Sequence, residues 1–270
     1  MEASTQRGTC DDQQQEASEH VRAGGSKRPL WASACERIQR VSETFDVANP
    51  DTRPEGIAAA LQAAQRGEPV VLPTDTVYGI GVDAFSATAV AVLLAAKGRS
   101  RAMPPPVLIA RQAIMDALAT EIPDAARRLA ETFWPGGLTL ILQAQPSLAW
   151  DLGETQGTVA LRMPADEVAL ELLGTVGPMA VSSANRTGLQ AATTAQAARE
   201  MLADSVSVYL DAGERASIAP STIIDCTLEP PQVVREGSIP LHELQAAVPQ
   251  VQRVQAAESP TEADDAEAQA

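Results

Sequence analysis

The segment KGRSR, Lys97 to Arg101, sets three cations within five residues, one helical run after LPTDTVYGIGVDAF, Leu72 to Phe85. In a chain whose formal charge is −15, a basic cluster is an exception that calls for a reason. A fork of Arg and Lys donors suits phosphate groups, each charge-assisted hydrogen bond contributing roughly 1.5 to 3 kcal/mol where water is excluded. Pro104, Pro105 and Pro106 follow at once and stiffen the loop. A single cation there would only complement the end of a helix dipole; three exceed that need.

Other polar groups stand where strands end. PTDTVY, Pro73 to Tyr78, places two threonine hydroxyls and a carboxylate directly after an apolar strand, the position at which α/β folds hold ligands. Thr74 and Asp75 equally suit a capped turn. MAVSSANRTG, Met179 to Gly188, runs from an apolar strand into hydroxyl and amide groups small enough for a ligand to reach the backbone. Arg162 closes the strand in VALRMP; such an arginine either pairs with a surface acid or clamps a carboxylate bidentately. Arg235 ends the strand in VVREGSI with its guanidinium available to an anion, while Ser221 and Thr222 enter where the strand in PSTIID begins. WPGGLTL, from Trp134, reads as structural, a helix stop and a buried aromatic leading into a strand.

What is missing narrows the chemistry. His20 and His242 flank the body of the chain, which removes most Ser-His-Asp and Cys-His schemes and most histidine metal sites. No GxSxG elbow surrounds Ser183, which is therefore a hydrogen-bonding group and not a nucleophile. Gly79-Ile80-Gly81 lacks the third glycine and the acidic partner of a dinucleotide fingerprint, and there is no GxxxxGK[ST]. Cys10, Cys35 and Cys226 are far apart without a CxxC pair, so neither a zinc site nor a disulfide framework is signalled. Between residues 46 and 245 there are 23 acidic against 13 basic side chains, a balance of −10, and Lys97 is the only lysine. Broad capture of nucleic acid needs a wide basic footprint; a small anion in one basic pocket does not.

The elements that must position these groups follow from periodicity and punctuation. Helical spacing predicts IAAALQAAQR, Ile57 to Arg66, stopped by Gly67, and further helices at 86–97, 111–120, 124–133, 165–174 and 194–203. Short apolar runs predict strands at 69–73 and from Val107, Leu138, Thr158, Pro178, Val206, Ser221 and Val233. Strands mixed with helices, without an internal repeat, describe one α/β domain with a twisted, mixed sheet. That domain is expected over 46–245, between a polar N-terminal extension, 1–45, and an acidic C-terminal tail, 246–270, both expected to be disordered. WASACERIQR, from Trp31, is compatible with one or two helical turns. No apolar run of about 18 residues exists to span a bilayer, and the first thirty residues lack the apolar centre of a secretion signal. The expected location is therefore cytoplasmic, without membrane contact.

Seven motifs occur in order: PTDTVYGIG from Pro73, KGR from Lys97, WPGGLT from Trp134, VALRMP from Val159, SSANRTG from Ser182, STIID from Ser221 and VVREG from Val233. Together they resemble the YrdC-like family of L-threonylcarbamoyladenylate synthases in its single-domain bacterial form, over about Phe45 to about Leu244. The resemblance implies a YrdC-like twisted mixed sheet flanked by helices, with a large concave cavity. It implies a reaction in which L-threonine, bicarbonate and ATP give threonylcarbamoyl-AMP and pyrophosphate, with Mg²⁺ accompanying ATP. A partner transferase complex then moves threonylcarbamoyl to the adenosine beside the anticodon of ANN-decoding tRNAs, so tRNA is met only indirectly. Substrates supply the reacting atoms, and the protein contributes positioning and charge stabilisation.

Residue by residue, the resemblance carries catalytic roles to Lys97, Arg99, Ser183 and Asn185, the K-x-R and S-x-N signature. It carries threonine contacts to Thr74, Arg162, Ser183 and Ser221. ATP or adenylate contacts fall on Lys97, Arg101, Thr158, Asn185, Thr193 and Arg235. No carboxylate cluster announces a protein-built metal site. The chain departs from the family pattern at Ser100, where many members have Pro, and at Leu108, where many have His. Two other readings compete: a related transferase module handling carbamoyladenylate, which should lack the threonine contacts, and a non-enzymatic RNA-binding protein, against which the balance of −10 argues.

Overall fold

Apolar runs punctuated by Pro and Gly become the central strands, and the small polar clusters between them become the turns that face a cavity. The structure, a computed structural model, describes residues 42–216 and 219–254. The first 41 residues, with Cys10, His20, Cys35 and the WASACERIQR segment, and the tail from 255 lie outside the described residues.

Twelve strands form one mixed sheet: β1 Glu43–Asp46, β2 Val70–Leu72, β3 Gly79–Asp83, β4 Val107–Leu108, β5 Ala119–Thr120, β6 Leu138–Ala144, β7 Thr158–Arg162, β8 Met179–Ser183, β9 Val208–Asp211, β10 Thr222–Asp225, β11 Gln232–Arg235 and β12 Gln252–Arg253. Their order across the sheet is β1-β9-β2-β3-β8-β4-β7-β6-β10-β11-β12, with β5 paired to β6 off this path. Among the described residues seven helices accompany them: α1 Arg53–Gln65, α2 Ala87–Lys97, α3 Met115–Leu118, α4 Asp124–Phe133, α5 Glu167–Val176, α6 Ala195–Leu202 and α7 Leu241–Ala247. Because side chains alternate across a strand, the sheet separates two apolar layers. Ile57, Ala60, Leu72, Val168, Leu172 and Val181 pack with α1 and α5 on one face. Val71, Ile80, Leu93, Leu129 and Leu140 pack with α2 and α4 on the other.

Helix ends deliver the site residues. Ser86 caps α2, its hydroxyl accepting from Ala89 N, and Gly98 ends the helix in the left-handed conformation at φ 63°, where glycine carries no Cβ penalty. The chain therefore turns directly after Lys97. Asp166 caps α5 through Ala169 N, which explains why that helix starts at 167 and not at 165.

Several elements differ from the sequence expectation. GIGVD is a full strand, β3, in which Ile80 and Val82 belong to one apolar layer while Gly79 and Gly81 lie against Val181 of the other. The 111–120 helix breaks up: a 3₁₀ turn, Gln112–Ile114, leads into the four-residue α3, after which Ala119 and Thr120 pair with β6. The sheet also exceeds the 46–245 limits. Glu43–Asp46 pairs in parallel with β9, supported by Arg199 Nη1 donating to Thr44 Oγ1 at 2.9 Å, and Gln252–Arg253 pairs with β11. Gln252–Arg253 is polar and exposed, so ladder hydrogen bonds order it, while in Glu43–Asp46 the partly buried Phe45 adds packing against the layer of Ile57 and Val168. Among the described residues no helix is long and apolar enough to cross a membrane.

Candidate functional site

A cavity of about 420 Å³ opens where several stretches meet. These are the turn after β2, the loop from α2 into β4, the ends of β7 and β8, the start of β6 and the β10–β11 hairpin with the residues just before it. Arg99, Arg162 and Arg235 all line it, and no Asp or Glu does among the described residues. Arg235 is lowered below the usual guanidinium range by burial first, then by the nearby charges of Arg162 and Arg99. Guanidinium groups do not lose their protons in proteins. Three like charges held together in this way create a site whose cost a bound anion relieves.

Lys97 stands behind the cavity wall and not in it. The residue is 3% exposed. Its Nζ donates to Ser183 O, to Asn185 O at 2.7 Å and to Asn185 Oδ1 at 3.2 Å. Three ammonium hydrogens meet three acceptors, so Lys97 clamps the turn that carries Ser183 and Asn185 toward the cavity. Burial, with Arg99 beside it, pushes the Lys97 amine down to about 8. Ser183 Oγ donates to Asn185 Oδ1 at 2.5 Å, and Asn185 Nδ2 donates to Arg186 O and Leu189 O. The S-x-N turn is thus a closed hydrogen-bonded unit, fixed from behind by Lys97.

Arg162, at the end of β7, is 6% exposed. Its Nε donates to Gly136 O at 3.0 Å, Nη2 to Asp75 Oδ1 at 2.8 Å, and both Nη1 and Nη2 to Thr76 Oγ1 at 3.1 Å. Burial lowers this guanidinium and Asp75 opposes the shift. The hydrogen bonds have a fixed direction. Thr74 donates its only hydroxyl hydrogen to Val77 O at 2.6 Å, so in the Thr74–Thr76 contact at 3.1 Å the donor is Thr76. Thr76 in turn accepts from Arg162. The pairing is therefore with a half-buried acid of the adjoining loop, and the bidentate clamp expected of Arg162 lacks a second unengaged N–H.

Two further groups complete the wall. Arg99 Nη1 donates to Ser182 Oγ at 3.0 Å, and burial lowers this guanidinium as well. Arg235 donates through Nε and Nη2 to Ser221 O and through Nη2 to Ser221 Oγ at 3.1 Å; Ser221 Oγ also meets Thr139 Oγ1 at 2.9 Å. Thr222 Oγ1 accepts from Gly237 N and Ile239 N, pinning the loop after β11 beside them.

Of the residues singled out in the sequence, the structure brings Thr74, Arg99, Arg162, Ser183, Asn185, Ser221 and Arg235 to this one cavity, with Lys97 bonded to its wall. Three others lie elsewhere. Arg101 points outward, its Nη2 2.7 Å from Asp151 Oδ1. Thr158 lines an adjoining cavity of about 160 Å³ that shares Pro104, Pro106, Thr139 and Ile223 with the first, and donates to Thr155 O. Thr193 is absent from the lining, and its carbonyl accepts from Arg215 N. Of the two departures, Leu108 lines the cavity beside Arg162 in strand register, whereas Ser100 is exposed.

Thr76, Thr139 and Ser182 also line the cavity; nothing in the sequence singles them out, although each lies one or two positions from a named residue or inside a quoted motif. WPGG, structural by its sequence, reaches the site because the Gly136 carbonyl holds Arg162. Among the described residues no group of three or more His, Cys, Asp or Glu side chains could hold a metal ion.

A family model described as telomere recombination, covering the Sua5, YciO and YrdC proteins, matches residues 62–237. The chain belongs to the Sua5/YciO/YrdC family. A relative from Mycobacterium leprae, named putative threonylcarbamoyl-AMP synthase, is 53% identical over 200 residues, covering 74% of this chain and 91% of the relative. The threonylcarbamoyl-AMP synthase of Pyrococcus abyssi is 37% identical over 196 residues, 72% of this chain and 58% of that protein. The crystal structure of P. abyssi Sua5 complexed with L-threonine matches with a TM-score of 0.70 at 36% identity, over 73% of this chain and 58% of that one. The family match spans the sheet from β2 to β11, and the member solved with L-threonine is 36% identical to this chain.

Proposed function

We propose that this chain is a threonylcarbamoyl-AMP synthase, converting L-threonine, bicarbonate and ATP to threonylcarbamoyl-AMP and pyrophosphate for the threonylcarbamoyladenosine modification of tRNA. One observation carries the reading: Arg99, Arg162 and Arg235 converge on one cavity without a lining carboxylate, in a chain of charge −15 whose relatives bear that name. In the net reaction a C–N bond forms between the threonine amine and the bicarbonate carbon, one bicarbonate oxygen leaves as water, and a P–O bond forms at the α-phosphorus as pyrophosphate departs. No protein nucleophile is needed. The work left to the chain is to hold together three substrates that each carry an anionic group and to offset that charge.

On this reading Arg162 meets the threonine carboxylate, with Thr74, Ser183 and Ser221 around the amino acid. Arg99 and Arg235 face the phosphates, and Asn185 shapes the turn between the two ends. Lys97 contributes by fixing that turn. Arg101, Thr158 and Thr193 stand outside the cavity wall and serve the nucleotide only from its periphery. Mg²⁺ would arrive with the triphosphate; the described residues do not fit a protein-built metal site, and no step is assigned to the ion.

The test is incubation with ATP, bicarbonate and each amino acid in turn while pyrophosphate is monitored. Release that depends on threonine is the expected result. Release that ignores the amino acid supplied, or none at all, overturns the proposal.

A further inference from the structure

Arg162 is aimed by the loop before β3. A guanidinium carries five N–H donors, and four of those of Arg162 are engaged within the protein: one on Gly136 O, one on Asp75 Oδ1 and two on Thr76 Oγ1. The fifth, on Nη1, has no partner among the described residues. Both anchors are themselves fixed. Asp75 Oδ1 also accepts from Ala165 N at 2.9 Å, and Thr76 is held by Thr74, whose oxygen accepts both the Thr76 hydroxyl and the Thr76 amide. An arginine with freely rotating side-chain torsions would be a diffuse charge; this one has a single direction.

We propose that Asp75 and Thr76 are positioning residues for amino-acid recognition, orienting Arg162 so that its one unengaged N–H faces the carboxylate of the substrate. The inference rests on the reading of this cavity as a threonine site. Neither residue needs to touch the substrate's reacting atoms. Asp75 fixes Nη2 and balances the guanidinium's charge, while Thr76 bridges Nη1 and Nη2 and so sets the rotation of the plane. The carboxylate then takes one charge-assisted hydrogen bond from Arg162, and the geometry discriminates by direction as well as by charge.

Thr76→Val removes the acceptor at nearly constant shape, Thr76→Ser keeps it, and Asp75→Asn keeps shape while removing charge. Pyrophosphate release is measured against threonine and, separately, against ATP. Thr76→Val and Asp75→Asn are expected to raise the KM for threonine about tenfold or more while kcat and the KM for ATP stay within about twofold, and Thr76→Ser is expected to restore the wild-type threonine KM. A folded Thr76→Val with an unchanged threonine KM overturns the inference, as does a parallel rise in both KM values, which marks general damage to the cavity. Should Asp75→Asn fail to fold, the Thr76 pair decides. Wild-type protein without threonine-dependent release overturns the function and this inference together; active wild type with unaffected variants overturns the inference alone.

Discussion

Lys97 Nζ lies 2.7 Å from the backbone oxygen of Asn185 and 3.2 Å from its side-chain oxygen, so the two halves of the K-x-R and S-x-N signature are one hydrogen-bonded unit. The lysine is internal and the asparagine faces the cavity. A cation that looks in sequence like a phosphate ligand is, in the fold, the clamp behind the ligand's wall.

Lys97→Met is therefore expected to lower both stability and turnover. Removing the ammonium leaves Asn185 O without its donor, while Ser183 O keeps Asn185 N and Asn185 Oδ1 keeps Ser183 Oγ, a loss of about 1 to 3 kcal/mol, read by urea unfolding. Arg99→Ala should behave differently: it is half-buried and donates to Ser182 Oγ, so the fold survives while pyrophosphate release falls about a hundredfold. A Lys97 variant as stable as wild type would remove the clamp.

The same lysine gives a pH signature. Burial and then Arg99 lower its amine to about 8 from 10.5. The unfolded chain thus holds a proton between about pH 8 and 10.5 that the folded chain has released, so this group makes stability rise with pH across that window and its contribution is constant below it. Unfolding measured at about pH 7 and about pH 10 should show the wild type gaining relative to Lys97→Met. Turnover should move the other way, falling as pH rises through about 8, because a neutral amine has two N–H donors for three acceptors. A flat profile in both measurements would place Lys97 outside this role.

Arg162→Ala is expected to raise the threonine requirement and to destabilise the protein. Its partner Asp75 would remain half-buried without the guanidinium, and breaking a buried pair from one side costs roughly 3 to 5 kcal/mol. The KM for ATP should be spared. An unchanged threonine requirement in folded Arg162→Ala would remove the carboxylate contact from this residue.

Arg101 sharpens the comparison with Arg99. Both come from KGRSR, yet Arg101 is exposed and paired with Asp151 while Arg99 lines the cavity. Arg101→Ala should leave stability unchanged, since exposed ion pairs contribute little, and should raise the KM for ATP less than Arg99→Ala does. The reverse ranking would bring Arg101 into the nucleotide site.

The strands built from continuous apolar runs were legible because burial on both faces leaves that mark in sequence; Val70–Leu72 and Leu138–Leu142 are examples. The polar groups of the cavity were legible as a set, since seven of them fall at or within two residues of a strand or helix end. Their mutual contacts were not. Arg162 meets Thr76 across 86 residues, and no local pattern states that its donors are already engaged. Nor does spacing reveal that Lys97, the last residue of α2, is inside while Arg101, in the loop four residues on, is outside. Strand β1 was invisible for a related reason: Phe45 is its one apolar residue, and both its packing and the ladder with β9 exist only in the folded sheet.

Gly79 and Gly81 pose the last case, because a GxG beside a hydroxyl-rich turn looks like a phosphate approach. A Cβ at Gly79 would stand 2.6 Å from Val181 Cγ1, and one at Gly81 2.9 Å from Val181 Cγ2, on the strand that pairs with β3 in antiparallel register. The glycines admit Val181 to the layer beneath α1 and α5. Gly79→Ala should then cost about 1 to 3 kcal/mol by overpacking. Val181→Ala in the same chain should recover part of that loss, giving a coupling of about 1 kcal/mol or more in a double-mutant cycle. Strict additivity of the two substitutions would instead assign Gly79 to something other than Val181, and the ligand's approach would be the remaining claim on it.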